Sequence, residues 1–435
     1  MKSETKIFQK RRKELMDSIG SNGIAILPAA IESVRNKDVN FRFRQDSDFY
    51  YLSGFEEPEA VIVIAPQRKH GEYIIFCREK NPEKETWDGY RAGQEGACEI
   101  FGGDDAFPID DIDDILPGLI EGREKLYYSM GTNRGFDKQV MQWINNIREN
   151  IRGGAKAPHE LISLDGILHE MRLIKDSEEI SIIKKAAEIS AQAHNRAMSL
   201  CKPGMYEYEL EAEFLYQFRK NGGTEAYPSI VGSGANGCTL HYIENSSIMK
   251  NGDLVLIDAG MEYKGYAADI SRTFPVNGKF SAEQAAIYDI VLQAQNNAID
   301  KVYAGNHWNE ANDAAVKTIV EGLLELKILS GNIEEIIAAK GYTDFYMHRV
   351  GHWMGMDVHD VGDYKIDGEW RLLEPGMITT IEPGIYIKPS EKVDERWWNI
   401  AIRIEDDILV TAKGQENLTI SAIKERDEIE KKMKG

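Results

Sequence analysis

Two aspartates, Asp258 and Asp269, interrupt a segment that otherwise reads as buried sheet: Gly252–Phe274, GDLVLIDAGMEYKGYAADISRTF. Residues 253–257 form a short apolar run bounded by Gly252 and Gly260, the pattern of a strand covered by other structure. Tyr266 to Phe274 is again strand-like, so the segment is expected to be a β-hairpin turning near Tyr263-Lys264. Such a turn brings Asp258 and Asp269 together, directly or diagonally across the ladder, with Gly265 free to carry a bulge. Like charges about 5 Å apart on a sheet destabilise it, here by about 3 kcal/mol at an effective dielectric near 20. A cation between them, or a proton on one of them, removes that cost. For a pair standing alone, two solvated hairpin aspartates remain the ordinary alternative.

The rest of the chain says what kind of protein carries this hairpin. Its 435 residues are enough for two domains, and 42% hydrophobic with 29% charged residues describes a globular protein rather than a disordered one. A formal charge of −20 argues against nucleic acid as a partner. Cys77, Cys98, Cys201 and Cys238 stand far apart without a CxxC pair and are expected to be buried free thiols in a reducing compartment. The first twenty residues are charged throughout, with no apolar core of a signal peptide, and no apolar run approaches the ~20 residues that span a bilayer. A cytoplasmic protein without membrane contact is expected.

Residues 1–20 read as an amphipathic helix closed by Gly20, followed by alternating short strands (23–27, 60–64, 73–77, 126–129) and a helix over 137–149. The acidic stretch 104–114 reads as a solvated helix start, and Trp87 as an exposed tryptophan in a polar loop. These elements make an α/β N-terminal domain over 1–155. A linker and junction over 156–176 lead to a second domain over 177–435. Helices are expected there over 177–198, capped by Asp176 or Ser177, then 207–221, 281–303 and 308–326. Hairpins between and after them make this half α+β, an antiparallel sheet under helices.

Further polar residues in that half fall into three groups. His348, His352 and His359 lie within twelve residues, a density that favours ligation over packing. Glu382 is the single carboxylate in the apolar strand Met377–Ile387. A carboxylate buried there needs a cation, a proton or a surface position; a strand end before the Pro383-Gly384 turn is the plain alternative. In Trp398–Val410, side-chain alternation puts Asn399, Ala401, Arg403 and Glu405 on one face, so Arg403 and Glu405 point into one polar site unless that face is simply solvated. Asp258, Asp269, His352, Glu382 and Glu405 together make an oxygen-rich donor set with one imidazole and no thiolate. Its four negative charges match two divalent ions, with Mn²⁺, Co²⁺ or Fe²⁺ better suited than structural zinc.

The runs IVGSGANGCTLHYIEN, GDLVLIDAGMEYKGYAADISRTFPVNGKF, MHRVGHWMGMDVHDVG, LEPGMITTIEPGIYI and IAIRIEDDILVT closely resemble the aminopeptidase P (Xaa-Pro aminopeptidase) group of the pita-bread dinuclear metallopeptidases. FRQDSDFYYLSGFEEPEAVIVI resembles their creatinase-type N-terminal domain, so the likeness covers nearly the whole chain. It implies an α/β creatinase-type domain followed by an α+β pita-bread metallopeptidase domain. It also implies an enzyme that hydrolyses the bond between an N-terminal residue and a penultimate proline. Two divalent metal ions are implied, Mn²⁺ first, with Co²⁺, Fe²⁺ or Zn²⁺ as alternatives.

Carried over by residue, the resemblance makes Asp258 a ligand of one metal, His352 and Glu382 ligands of the other, and Asp269 and Glu405 ligands of both. Glu382 is also the expected general base. His241 matches a histidine beside the scissile amide, His359 one that contacts the substrate carbonyl, and His348 one in the substrate pocket. Arg403 and Tyr386 match groups that orient the ligands. Trp87 matches an aromatic residue that a neighbouring subunit lends to the pocket, implying a homodimer or homotetramer. Prolidase, which cleaves Xaa-Pro dipeptides, shares the metal set and is the near alternative. A non-catalytic peptide-binding relative would have lost ligands that this chain retains.

Overall fold

Six strands form the sheet of the N-terminal unit, in the order Asp105–Pro108, Tyr73–Cys77, Val61–Ile64, Gly23–Pro28, Lys125–Tyr127, Glu160–Ile162. Pairing is mixed: Gly23–Pro28 runs antiparallel to Val61–Ile64 and parallel to Lys125–Tyr127. Every residue of Val61–Ile64 and Tyr73–Cys77 is buried, as continuous apolar runs require. The helix Arg134–Glu149 is capped by the Asn133 side chain and buries Phe136, Val140, Trp143, Ile144 and Ile147, a helical spacing that makes one apolar face.

The protein is described by a computed structural model over residues 4–434, which divides into two units, Met1–His169 and Glu170–Gly435. The expected helix over 1–20 runs Glu4–Ile19, its first three positions lying outside the described residues. Three expectations for this unit are corrected. Trp87 stands in a short helix, Pro82–Asp88, because Asn81 caps it and Pro82 suits a first turn. The acidic stretch carries the edge strand Asp105–Pro108 before its helix, and Asp113 there accepts the Trp143 indole N–H at 2.7 Å. The presumed linker is ordered as the strand Glu160–Ile162 and the helix Asp165–Leu173.

In the second unit every strand pair is antiparallel. The helix Ser177–Leu200 starts with a capping box between Asp176 and Glu179, and Ala282–Ile299 with one between Ser281 and Gln284. The other long helices are Glu207–Lys220 and Asn309–Glu325. With the sheets they enclose one large core that includes Phe214, Phe274, Trp308, Tyr346 and Trp353. Among the described residues no helix is long and apolar enough to cross a membrane. The cysteines are unpaired; Cys77 and Cys238 are buried, whereas Cys98 and Cys201 are only partly so, a correction to the expectation for all four.

The strands expected to be continuous are broken, and the breaks build the site. The hairpin does turn at Lys264-Gly265, both with positive φ, the backbone of a type I′ turn. Gly265 therefore serves the turn and not a bulge. Leu254–Asp258 pairs with Ser271–Pro275, while the hairpin tip, Met261–Tyr263 and Tyr266–Ala267, joins a different sheet. At the crossing a Cβ on Gly260 would run into the Ala268 carbonyl, so only glycine fits. Met377–Ile387 is likewise two strands, Ile378–Ile381 and Gly384–Ile387, and the last segment splits into Ile400–Arg403 and Asp406–Thr411. Both changes of sheet occur side by side, since Ile381 pairs with Asp406 and Gly384 with Arg403.

Candidate metal centre and active site

Each of the four expected carboxylates sits where a strand ends or changes sheet. Asp258 closes Leu254–Asp258 opposite Ser271, so Asp269 lies beyond the end of that ladder and meets Asp258 diagonally. Glu382 occupies the break before Pro383, and Glu405 the break before Asp406. At such a point the backbone releases its ladder partners and a side chain can turn into the gap between sheets. His352 is held there by its own backbone: its N–H donates to Thr380 Oγ1 at 3.0 Å and its carbonyl accepts from Thr380 N at 2.9 Å. Gly351 beside it lies so close to the Thr380 carbonyl that no Cβ would fit.

The five side chains converge. Nε2 of His352 is 3.5 Å from Asp269 Oδ2 and 3.7 Å from Glu382 Oε1. Asp269, His352 and Glu405 offer donor atoms all within 4.8 Å of one another. Tyr227 joins the pair that remains: its hydroxyl lies 2.7 Å from Asp258 Oδ1 and in close contact with Asp269 Oδ1. His352 Nδ1 is 2.9 Å from the Trp353 carbonyl, which only an N–H can satisfy, so Nδ1 carries a proton and Nε2 is the nitrogen turned towards the carboxylates.

Arg403 organises the polar floor. It donates through Nη2 to Asp258 Oδ2 at 2.6 Å, through Nη1 to the Tyr386 hydroxyl at 2.9 Å, and through Nε to Ser271 Oγ at 2.7 Å. Ser271 passes the connection on by donating to Glu405 Oε2 at 2.8 Å. Arg403 and Glu405 thus reach one site as alternation implied, although they lie on either side of a strand break. His348 donates from Nδ1 to the Arg349 carbonyl at 2.8 Å and takes the Tyr386 hydroxyl on Nε2 at 2.9 Å. Burial first, then Arg403, lowers His348 to about 4, so its ring is neutral.

His359 packs edge-on against His352 with ring centroids 4.4 Å apart, and it is exposed, as is His241. Burial first, then the charges of His352 and His241, lowers His359. Trp87 belongs to the N-terminal unit, where 87% of it is exposed.

The charges do not balance without help. Burial, and then the neighbouring Asp269, Glu382 and Asp258, holds Glu405 well above the usual carboxylate range. Burial and Asp258 raise Asp269, and burial lifts Glu382 to about 7 although His352 and Arg403 pull it down. Burial opposes protonation of His352, but its contact with Asp269 and the charge of Glu382 outweigh it and carry the imidazole up to about 9. The Tyr227 hydroxyl owns one proton and faces two carboxylate oxygens, and Asp407 Oδ1 is buried without a hydrogen-bond partner. Excess negative charge in a largely buried pocket, offered through carboxylate oxygens and one imidazole nitrogen, fits divalent cations of the hard to borderline class.

Sequence reasoning missed Tyr227 and Ser271. A tyrosine directly before Pro228, in the short connection between the strands Thr224–Glu225 and Ile230–Ser233, is a weak signal at best. A serine in a fully buried strand is indistinguishable from one satisfied by its own backbone.

A family model for metallopeptidase family M24 matches residues 181–412, and one for the aminopeptidase P N-terminal domain matches residues 8–127. The chain is 45% identical to the Xaa-Pro aminopeptidase of Escherichia coli over 97% of its own length and 96% of that protein. It superposes on Pseudomonas aeruginosa aminopeptidase PepP with a TM-score of 0.98 at 55% identity, covering 99% of this chain and 98% of that one. A zinc-substituted Escherichia coli aminopeptidase P in complex with product gives 0.96 at 44% identity, with coverage of 99% and 98%.

Proposed function

This chain belongs to metallopeptidase family M24, with an aminopeptidase P-type domain at its N-terminal side, and on that premise we propose that it removes the first residue of peptides whose second residue is proline. The observation that carries the reading is the meeting of Asp258, Asp269, His352, Glu382 and Glu405 in one buried pocket. A protein that kept only the fold would have no reason to confine so much negative charge there. Full-length similarity to a protein named Xaa-Pro aminopeptidase supplies the substrate class.

In this reading Asp258 would hold one metal and His352 and Glu382 the second, with Asp269 and Glu405 available to either. Manganese is the metal we assign, from the oxygen-rich donor set. Bound there, two divalent cations would polarise the scissile carbonyl and lower the pKa of a water towards neutrality.

The chain's own groups do the rest. Glu382 takes the proton of the attacking water and delivers it to the proline nitrogen. An X-Pro bond has no amide N–H, so recognition falls to the carbonyl, and His241 and His359 are the groups we place against it. Neutral His348, fixed by Arg349 and Tyr386, lines the pocket. Arg403 holds Asp258, and through Ser271 it holds Glu405, in their places. Trp87 is assigned to the pocket of a neighbouring subunit in a homodimer or homotetramer, and the four unpaired cysteines support a cytoplasmic home.

Incubation of the metal-loaded protein with an Arg-Pro-Pro peptide, followed by mass spectrometry, tests the function. Loss of a single N-terminal arginine is expected. An intact peptide refutes catalysis, and cleavage confined to Xaa-Pro dipeptides would make the protein a prolidase.

A further inference from the structure

Outside the metal centre, the buried carboxylate of Glu207 takes five hydrogen bonds, all from neutral donors. Glu207, the first residue of the helix Glu207–Lys220, has no exposed surface. Its Oε1 accepts from Ser233 N at 2.7 Å, Ser233 Oγ at 2.8 Å and Asn236 Nδ2 at 3.0 Å. Its Oε2 accepts from the Tyr242 hydroxyl at 2.9 Å and Ser247 N at 2.9 Å. Its own N–H donates to the Ser247 carbonyl at 3.0 Å. All five side-chain contacts reach the segment 233–247, the long connection that follows the strand Ile230–Ser233. A carboxylate, with two oxygens and about four lone-pair sites, can gather that many donors; no neutral side chain can.

The same segment carries His241. Its neighbours in sequence, Leu240 and Tyr242, pack against a small cluster of Ile230, Cys238, Leu256, Tyr386 and Ala401. His241 between them is exposed, the outward position when the residues on either side face in. Tyr386 is the residue whose hydroxyl takes Arg403 and meets His348. The Tyr242 ring therefore rests on the floor of the site, while its hydroxyl, donating to Glu207 and 3.4 Å from Ser246 N, ties the strip to the helix behind. Asn245 anchors the other end of the strip: its side chain accepts from Val231 N at 2.9 Å and donates to the Ser229 carbonyl at 2.8 Å.

We propose that Glu207, acting through Tyr242, is a positioning residue that fixes the 233–247 segment and so holds His241 at the reacting bond. The inference rests on the role given to His241 above. Glu207 touches neither substrate nor metal; losing it changes where His241 stands.

Three variants and a combination test this. In Glu207→Gln an amide N–H₂ confronts donors, so hydrogen exchange across 234–247, read by mass spectrometry, should speed up while metal content stays at the wild-type level. The kcat on an Xaa-Pro-Xaa peptide should fall about 10- to 100-fold, and in Tyr242→Phe, which keeps the packed ring, about 3- to 10-fold. Coupled residues are non-additive, so in a His241→Ala background Glu207→Gln should cost less than about twofold more.

Unchanged exchange in Glu207→Gln overturns the positioning claim, as does a kcat loss of the same size with and without His241. Wild-type kcat in His241→Ala alone refutes the role of His241 and the catalytic half of this inference. The exchange measurement still reports on the anchoring independently.

Discussion

Acid should destabilise this protein through one buried imidazole. His194 lies on the inward face of the helix Ser177–Leu200, fully buried, edge-on to Phe214 with ring centroids 4.7 Å apart. Its Nε2 is 2.9 Å from the Ala259 carbonyl, and Nδ1 has no partner. Burial above all, with the charge of Arg272 adding to it, holds its pKa down to about 3, against about 6.5 in an unfolded chain. Between those values the unfolded state binds a proton that the folded state refuses. The stabilisation is therefore complete above pH 6.5 and shrinks as pH falls, by about 1.4 kcal/mol per unit. About 2 kcal/mol should be gone at pH 5, and on the order of 5 kcal/mol over the full descent to the folded-state pKa.

The measurement is urea unfolding of the chelated protein and of His194→Phe at half-unit steps from pH 7.5 to 4.5. Phenylalanine keeps a flat ring and the edge contact but is larger and leaves the Ala259 carbonyl without its donor, so the variant should begin about 1–3 kcal/mol less stable. Below pH 6.5 the gap should close by about 1.4 kcal/mol per unit, and at about 2 kcal/mol of initial deficit the curves cross near pH 5. Other titrating groups move both proteins alike and cancel in the difference. Parallel curves would refute the assignment of a neutral, proton-refusing His194.

Replacement of Glu382 by glutamine should preserve the fold and lower kcat by about 10²- to 10⁴-fold, since an amide cannot take a proton; near-wild-type turnover would rule it out as the base. Chelation should abolish peptidase activity and Mn²⁺ restore it. The metal-free protein should also melt at a lower temperature, since ligand at a hundred times its dissociation constant stabilises by about 2.7 kcal/mol; equal melting curves would mean that no metal relieves the carboxylates. Arg272→Met should cost about 3–5 kcal/mol in thermal or urea unfolding. Arg272 has no exposed surface, and losing it leaves the buried Asp406, which it meets at 2.6 Å, with Lys424 as its one remaining cation, and takes a donor from the carbonyls of Ser271, Glu405 and Ala422.

Element type was legible where one physical rule dominates a local window. The runs at 61–64 and 73–77 are apolar at every position, which only a doubly covered strand tolerates, and both are strands buried throughout. The helices starting after Asp176 and Ser281 announce themselves by a capping residue with a Glu or Gln three places on. Boundaries were less legible. The Met377–Ile387 run is uniformly apolar around Glu382, and nothing in its alternation reveals that the chain changes sheets there, because that is decided by the partners at Asp406 and Arg403.

By itself the amino-acid sequence determined which side chains are chemically out of place: aspartates and glutamates stranded in apolar strands, and three histidines within twelve residues. Only the tertiary structure decided that they meet, because their convergence depends on contacts between hairpins more than a hundred residues apart, such as Glu405 N to the Ser271 carbonyl at 3.1 Å, where local propensity has no reach. It also decided the hydroxyl connections that hold them, Tyr227 between two aspartates and Ser271 between Arg403 and Glu405. A hydroxyl joins such a network by distance and angle alone, and neither quantity is written in the order of residues along a chain.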